Sequence, residues 1–156
     1  MSAPVLLQRS LGLTVPSSCT LLSMDACRGL LGVDTQSVQD LIADGRLAWA
    51  FDLGCRGQMQ RACVRVWVEC ILAHRAGKPQ PDGRWAEISD AIIGHSLSEY
   101  IAASALGIRF NVDRSTVLRW AASGDLNSQL VGHERRVARA ALPPFLARRR
   151  IGAITE

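Results

Sequence analysis

Two short stretches hold the side chains best suited to reading a polyanion. Arg114, Ser115, Thr116 and Arg119 fall within one and a half helical turns of each other. A guanidinium is a planar fork that can grip the major-groove edge of guanine with two hydrogen bonds, and hydroxyls can meet phosphate or base. Thr35, Gln36, Ser37 and Gln39 form a matching set nearer the N-terminus, where a glutamine amide suits the adenine edge. Asp40 and Asp44 stand beside that second set and would repel phosphate. Arg56, Arg61 and Arg65 follow the set that starts at Thr35; His133, Arg135, Arg136 and Arg139 follow the set that starts at Arg114. Arginines placed so are suited to backbone phosphate or to a narrow minor groove. Each set is also what an ordinary solvated helix face would display, so the weight rests on the elements that carry them.

Other chemistry finds little support. There are 156 residues with a formal charge of +4, and Lys78 is the only lysine, so arginine supplies nearly all the basic side chains. That bias suits a polyanionic partner and equally a GC-rich coding sequence. The five cysteines (Cys19, Cys27, Cys55, Cys63 and Cys70) are odd in number and form no Cys-x-x-Cys, which argues against a disulfide framework or zinc ribbon. Cys63, Cys70 and His74 could be drawn as metal ligands, but a fourth ligand is lacking, and no metal or cofactor is expected. His74, His95 and His133 are scattered, and neither a paired-carboxylate site, a phosphate-binding glycine loop nor a nucleophile elbow occurs, so an enzyme is not expected. No stretch approaches the ~20 apolar residues of a membrane span, and the N-terminus lacks a signal-peptide core. A reducing cytoplasm is the expected location, with nucleoid association when bound to DNA.

The periodicity supplies the elements. Ser23 can cap a helix running to Leu31, with Gly32 breaking it and Asp34 capping a second helix that buries Val38, Leu41 and Ile42 before Gly45 closes it. Leu47 to Leu53 and Ala62 to Val66 read as two strands about a turn at Gly54–Gly57, a small wing; Val66 to Arg75 then reads as helical. Gly77, Pro79, Pro81 and Gly83 mark a hinge. Trp85 to Gly94 predicts a linking helix with Trp85, Ile88, Ala91 and Ile92 on one face. Ser96-Leu97-Ser98-Glu99 matches a capping box for a helix to about Leu106, interrupted at Gly107, before Asp113 opens the next helix with Val117, Trp120 and Ala121 inward.

An internal repeat is the strongest signal. Val33-Asp34, Val38, Gly45 and Leu47 recur as Val112-Asp113, Val117, Gly124 and Leu126 at identical relative positions. Downstream, Arg61 to Leu72 parallels Arg135 to Leu146, matching Arg65 with Arg139, Val68 with Leu142 and Leu72 with Leu146. Asp113-Arg114-Ser115-Thr116-Val117-Leu118-Arg119-Trp120, followed by Gly124-Asp125-Leu126 and Arg135-Arg136-Val137, resembles the excisionase and MerR-type winged helix-turn-helix domain. Ala26-Cys27-Arg28-Gly29-Leu30-Leu31-Gly32-Val33-Asp34, with Gly45-Arg46-Leu47, Arg61 and Arg65, resembles it again. The resemblance implies binding to double-stranded DNA, as in phage, plasmid or chromosomal regulators and recombination directionality factors. Two departures stand out: the first unit has no basic residue between Asp34 and Asp44, and the second has an expanded turn from Gly107 to Val112.

The expected fold is mainly α with small β wings, as two tandem winged helix-turn-helix units. The expected division is an arm at 1–20, a first unit at 21–75, a hinge and linking helix at 76–95, a second unit at 96–150 and a tail at 151–156. The expected function is sequence-specific DNA binding as a small transcriptional regulator. A directionality or architectural factor working beside an integrase, and a protein-binding antitoxin or antiactivator on the same scaffold, are the alternatives. A homodimer is compatible with each, and a membrane partner with none.

Overall fold

A computed structural model describes residues 19–54, 63–94 and 98–151. Its architecture is mixed α/β, with seven α-helices and two small antiparallel sheets among the described residues. In chain order these are β1 (Leu21–Ser23), α1 (Met24–Leu31), α2 (Thr35–Ala43), β2 (Ala50–Asp52), β3 (Val64–Trp67), α3 (Val68–Arg75) and α4 (Trp85–Ile93). There follow β4 (Tyr100–Ala102), α5 (Ala103–Phe110), α6 (Arg114–Ser123), β5 (Ser128–Val131), β6 (Glu134–Ala138), α7 (Leu142–Arg148) and β7 (Arg150–Ile151). No helix among the described residues is long and apolar enough to cross a membrane.

Local chemistry sets the first helices. The Ser23 hydroxyl accepts from the Ala26 amide at 3.2 Å, and Gly32 ends α1 in the left-handed region at φ 66°. The Asp34 carboxylate accepts from the Ser37 amide at 2.8 Å and starts α2, which buries Val38 and Ile42. These caps are those the sequence predicts, and so are the buried Val38 and Ile42, whereas Leu41, expected inward, is half-buried.

The order strand, helix, helix, strand, strand, helix occurs twice. Adding 79 to the bounds of β1 and α1 and to the start of α2 gives those of β4 and α5 and the start of α6. The two helix-to-helix turns are therefore equally long, Gly32–Asp34 and Asn111–Asp113, and the expected expansion of the second is corrected. Gly107 does not interrupt α5, because it sits where α5 meets the next turn: a Cβ there would stand 2.8 Å from the Val112 carbonyl oxygen. The stop is Asn111, held at φ 58°. The capping box is corrected too, since Ser98 and Glu99 precede β4 and α5 starts without a side-chain cap; Ser96 and Leu97 lie outside the described residues.

The sheets are larger than the two-stranded wings the sequence suggests. One is ordered β1-β3-β2-β7 and the other β4-β6-β5, all antiparallel. Strands β1, β4 and β7 are three, three and two residues long, too short for alternation to reveal. Register also corrects the expected alignment of arginines. Ser23 faces Arg65 and Ala102 faces Arg136, so Arg65 corresponds to Arg136. Arg139 belongs to a 3-10 turn, Arg139–Ala141, inserted before α7. The helix starts Val68 and Leu142 still match.

The two units share one hydrophobic core. The hinge segment is tied to the first unit: the Gln80 side chain accepts from the Ala48 amide at 3.0 Å and donates to the Cys70 carbonyl at 2.8 Å, and Trp49 Nε1 donates to the Pro81 carbonyl at 2.8 Å. On α4, Ile88, Ser89, Ile92 and Ile93 are buried, whereas Ala91, expected inward, is exposed. Trp85 stacks on Trp49 with centroids 5.6 Å apart and donates from Nε1 to the Pro143 carbonyl at 3.1 Å, so one side chain spans both units.

Candidate nucleic-acid interface

The first turn and outer face of α6 carry Arg114, Ser115 and Arg119 into solvent, with Thr116 and Leu118 half-buried and Val117 and Trp120 fully buried. Trp120 packs on Phe145 of α7 at 4.8 Å between centroids, which fixes the helix from below and makes this ring core, as the spacing predicts. Ala121, expected inward, is half-buried. Neither Arg114 nor Arg119 has a hydrogen bond or ion pair within the described residues. Their charges are free for an external acceptor.

Four residues after α6 the chain enters a hairpin. Val131 faces Glu134, leaving the two-residue loop Gly132-His133; Gly132 lies at φ 66° and His133 is not at positive φ, the pattern of a type II′ turn. Arg135 lies across from Leu130 and has no partner within the described residues, while Arg136, across from Gln129, pairs with Glu134 at 3.4 Å. Strand β5 forms the outer edge of its sheet. Leu130 and Val131 on it are 60% and 44% exposed. Sequence reasoning missed them, because an apolar pair in a short strand reads as core.

The first unit arranges the same scaffold differently. Gln36 is exposed, but its amide donates to Asp40 at 3.0 Å; the Thr35 hydroxyl accepts from Arg28 at 3.4 Å; Ser37 and Gln39 are half-buried. Helix α2 has no cation, and the carboxyls of Asp34 and Asp44 stand at its two ends. Hydrogen bonds from the Ser37 hydroxyl and backbone hold the Asp34 carboxyl below the usual carboxylate range. Arg56 and Arg61 lie outside the described residues. Arg65 is half-buried and faces the second unit, where its Nε donates to the Asn111 carbonyl at 2.9 Å. Burial lowers its pKa, opposed chiefly by Cys63.

Arg139 is likewise taken up inside the molecule. It forms an ion pair with Asp90 of α4, its side chain is 20% exposed, and its Nη1 is buried without a partner. The basic run Arg148-Arg149-Arg150 is a latch. Arg148 donates to the Asp125 carbonyl at 3.2 Å. Arg149 donates to the carbonyls of Asp52 and Gly54, pairs with Asp125 at 3.1 Å and lies over Phe145 at 4.6 Å. Arg150 donates to the Ala48 carbonyl and lies 3.7 Å from the Trp49 ring centroid. Strand β7 thereby closes the edge of β2.

Cys19, Cys27 and Cys70 belong to the core, Cys63 is half-buried, and Cys55 lies outside the described residues. Burial pushes the thiols of Cys27 and Cys70 up to about 12, which makes them unreactive near neutral pH. Among the described residues no group of three or more His, Cys, Asp or Glu side chains could hold a metal ion. Compared with protein-family models, curated proteins and solved structures, the chain shows no match.

Proposed function

We propose that this chain is a sequence-specific double-stranded DNA-binding protein, a small transcriptional regulator of a bacterium, phage or plasmid, working in the cytoplasm and on the nucleoid. Each strand-helix-helix-strand-strand-helix unit is read as a winged helix-turn-helix, with α6 as the major-groove helix and the β5–β6 hairpin as its wing. One observation carries the reading. Arg114 and Arg119 stand exposed and without partners among the described residues at the first turn and mid-length of α6, the end and face by which such a helix meets base edges. Arg135 on the neighbouring hairpin, half-buried and without a partner among the described residues, supplies a further cation for the backbone. This reading takes Arg114, Ser115, Thr116, Arg119 and Arg135 as the contact set of the second unit and sets aside Arg65, Arg136 and Arg139, which have partners within the fold; Arg56 and Arg61 lie outside the described residues.

Fluorescence anisotropy against duplexes enriched from a random pool, repeated across salt concentrations, tests this. Saturable binding that weakens with salt and collapses in the Arg114→Ala, Arg119→Ala double variant supports it. An unenriched pool, or binding indifferent to the double variant, moves the weight to a protein partner.

An architectural or excisionase role would use the same surface, and one feature favours it. Leu130 and Val131 are exposed beside the hairpin tip, and apolar side chains so placed can wedge between base steps. A measured bend in the bound duplex that is lost in Leu130→Ser would select that role over simple operator binding.

A further inference from the structure

Arg65 and Arg136 occupy corresponding positions in the two sheets, each across from the last residue of the unit's first strand. Arg136 stays within its own hairpin, paired with Glu134. Arg65 leaves its sheet and crosses to the other unit. Its Nε meets the carbonyl of Asn111, the left-handed residue that ends α5 and from which the chain turns into Asp113 and α6. A second guanidinium nitrogen donates to the Val64 carbonyl at 3.0 Å and so ties the same side chain to β3. Around this link lies a cleft of about 430 Å³ lined from one side by Leu53, Cys63 and Arg65 and from the other by Val112, Asp113 and Thr116. The turn before α6 lacks the support its twin has. Asp34 caps α2 through its carboxylate, whereas Asp113 makes no side-chain cap bond to α6. Nearby, the Thr20 amide donates to the Arg109 carbonyl at 2.9 Å, so the first unit grips the end of α5 at two successive places.

We propose that Arg65 is a positioning residue for α6: reaching from β3 to the Asn111 carbonyl, it holds the turn that launches α6, so that the first unit sets the angle at which Arg114 and Arg119 meet DNA. This rests on the DNA-binding reading above. It changes the role of the first unit from a second reader to an internal support. It also gives Arg65 an effect opposite in kind to that of a phosphate contact. A phosphate contact adds affinity for every duplex and contributes to the salt slope, whereas a held angle matters for the matched sequence alone.

The test uses the full chain, the enriched duplex, a scrambled duplex and two variants. Gln carries its amide nitrogen at the same number of bonds from the backbone as the Nε of arginine, so Arg65→Gln keeps a donor for Asn111 while removing the charge. Arg65→Ala removes both. Positioning predicts that Arg65→Ala loses about tenfold in the ratio of enriched to scrambled affinity, that Arg65→Gln recovers most of that ratio, and that the salt slope is equal in all three proteins. A phosphate contact predicts that both variants weaken on both duplexes and that the slope falls by about one. That outcome overturns the proposal, as does an unchanged ratio in Arg65→Ala. Thermal unfolding confirms that each variant is folded; if Arg65→Ala is not, the slope and ratio of Arg65→Gln still decide, because a phosphate contact cannot survive loss of the charge unaltered. Failure of the parent protein to select any duplex sinks the DNA-binding reading and this inference with it. Selective binding with Arg65→Ala indistinguishable from the parent sinks the inference alone.

Discussion

The two units share one scaffold and use their arginines in opposite ways. In the second, Arg114 and Arg119 are exposed and Arg135 is half-buried, all three without partners among the described residues, and β5 is an edge strand with no further strand paired to it among those residues. In the first, the matching helix is acidic, Arg65 faces inward to the other unit, and β7 covers the edge strand β2. An unpaired edge is open to pairing with another chain, and here one copy has its edge closed by the C-terminal strand of the other. Repetition of a fold therefore does not imply repetition of its working surface. Once two copies share a core, the surfaces between them are removed from water, and cations there become cross-links instead of contacts for a ligand.

The comparison can be broken most directly on the two helices. Arg114→Ala with Arg119→Ala is expected to reduce affinity for the enriched duplex about a hundredfold or more, since each well-formed bidentate contact discriminates by ~1–3 kcal/mol. Gln36→Ala with Gln39→Ala is expected to change it by less than about threefold, on the order of surface substitutions generally. Anisotropy titrations measure both, and equal losses would restore the first unit as a reader. In stability, Trp120→Ala should cost about 3–5 kcal/mol, because the ring is fully buried against Phe145. Leu41 occupies the same place on α2 but is only half-buried, so Leu41→Ala should cost about 1–2 kcal/mol by urea unfolding.

The latch gives a smaller effect. With its side chain 14% exposed and committed to two carbonyls and Asp125, Arg149→Ala should cost about 1–3 kcal/mol. It should also let the two units unfold separately, seen as disagreement between tryptophan fluorescence and circular dichroism. A sharp, coincident transition would show that the shared core alone holds the units together. The smallest effect concerns the two caps. The folded Asp34 carboxyl is held below its ordinary 3.8, so its contribution is present above that pH and lost as pH falls through the lower folded value. Asp34→Ala should lower the thermal midpoint at neutral pH and flatten its decline in acid. Asp113→Ala should change less, as Asp113 makes no side-chain cap bond. Equal acid limbs in the two variants would erase this difference between the units.

Much of the frame is readable from residues close together in the chain. Ser23, Gly32, Asp34 and Gly45 mark the boundaries of α1 and α2 because capping is a matter of a few neighbouring atoms. The repeat of Val, Asp, Val, Gly and Leu reveals the duplication, and the amphipathic spacing of Val117 and Trp120 separates the buried face of α6 from Arg114 and Arg119. Where local pattern is ambiguous the reading fails. Gly107 carries the usual sign of a helix break, yet it marks a close approach to a carbonyl that only folding brings near. Ser96 to Glu99 has the form of a capping box, yet Tyr100–Ala102 is drawn into a sheet by β6 before any helix starts.

The sequence by itself determined that there are two related units, where most of their helices begin and end, and which side chains on α6 are polar. Tertiary structure alone decided which arginines remain available. Arg65, Arg114 and Arg149 are alike as residues. Arg65 and Arg149 find carbonyl partners dozens of positions away in the chain, while Arg114 finds none among the described residues. A charge is taken up or left free by what lies within about 3 Å of it in space, and no spacing along one segment encodes that distance.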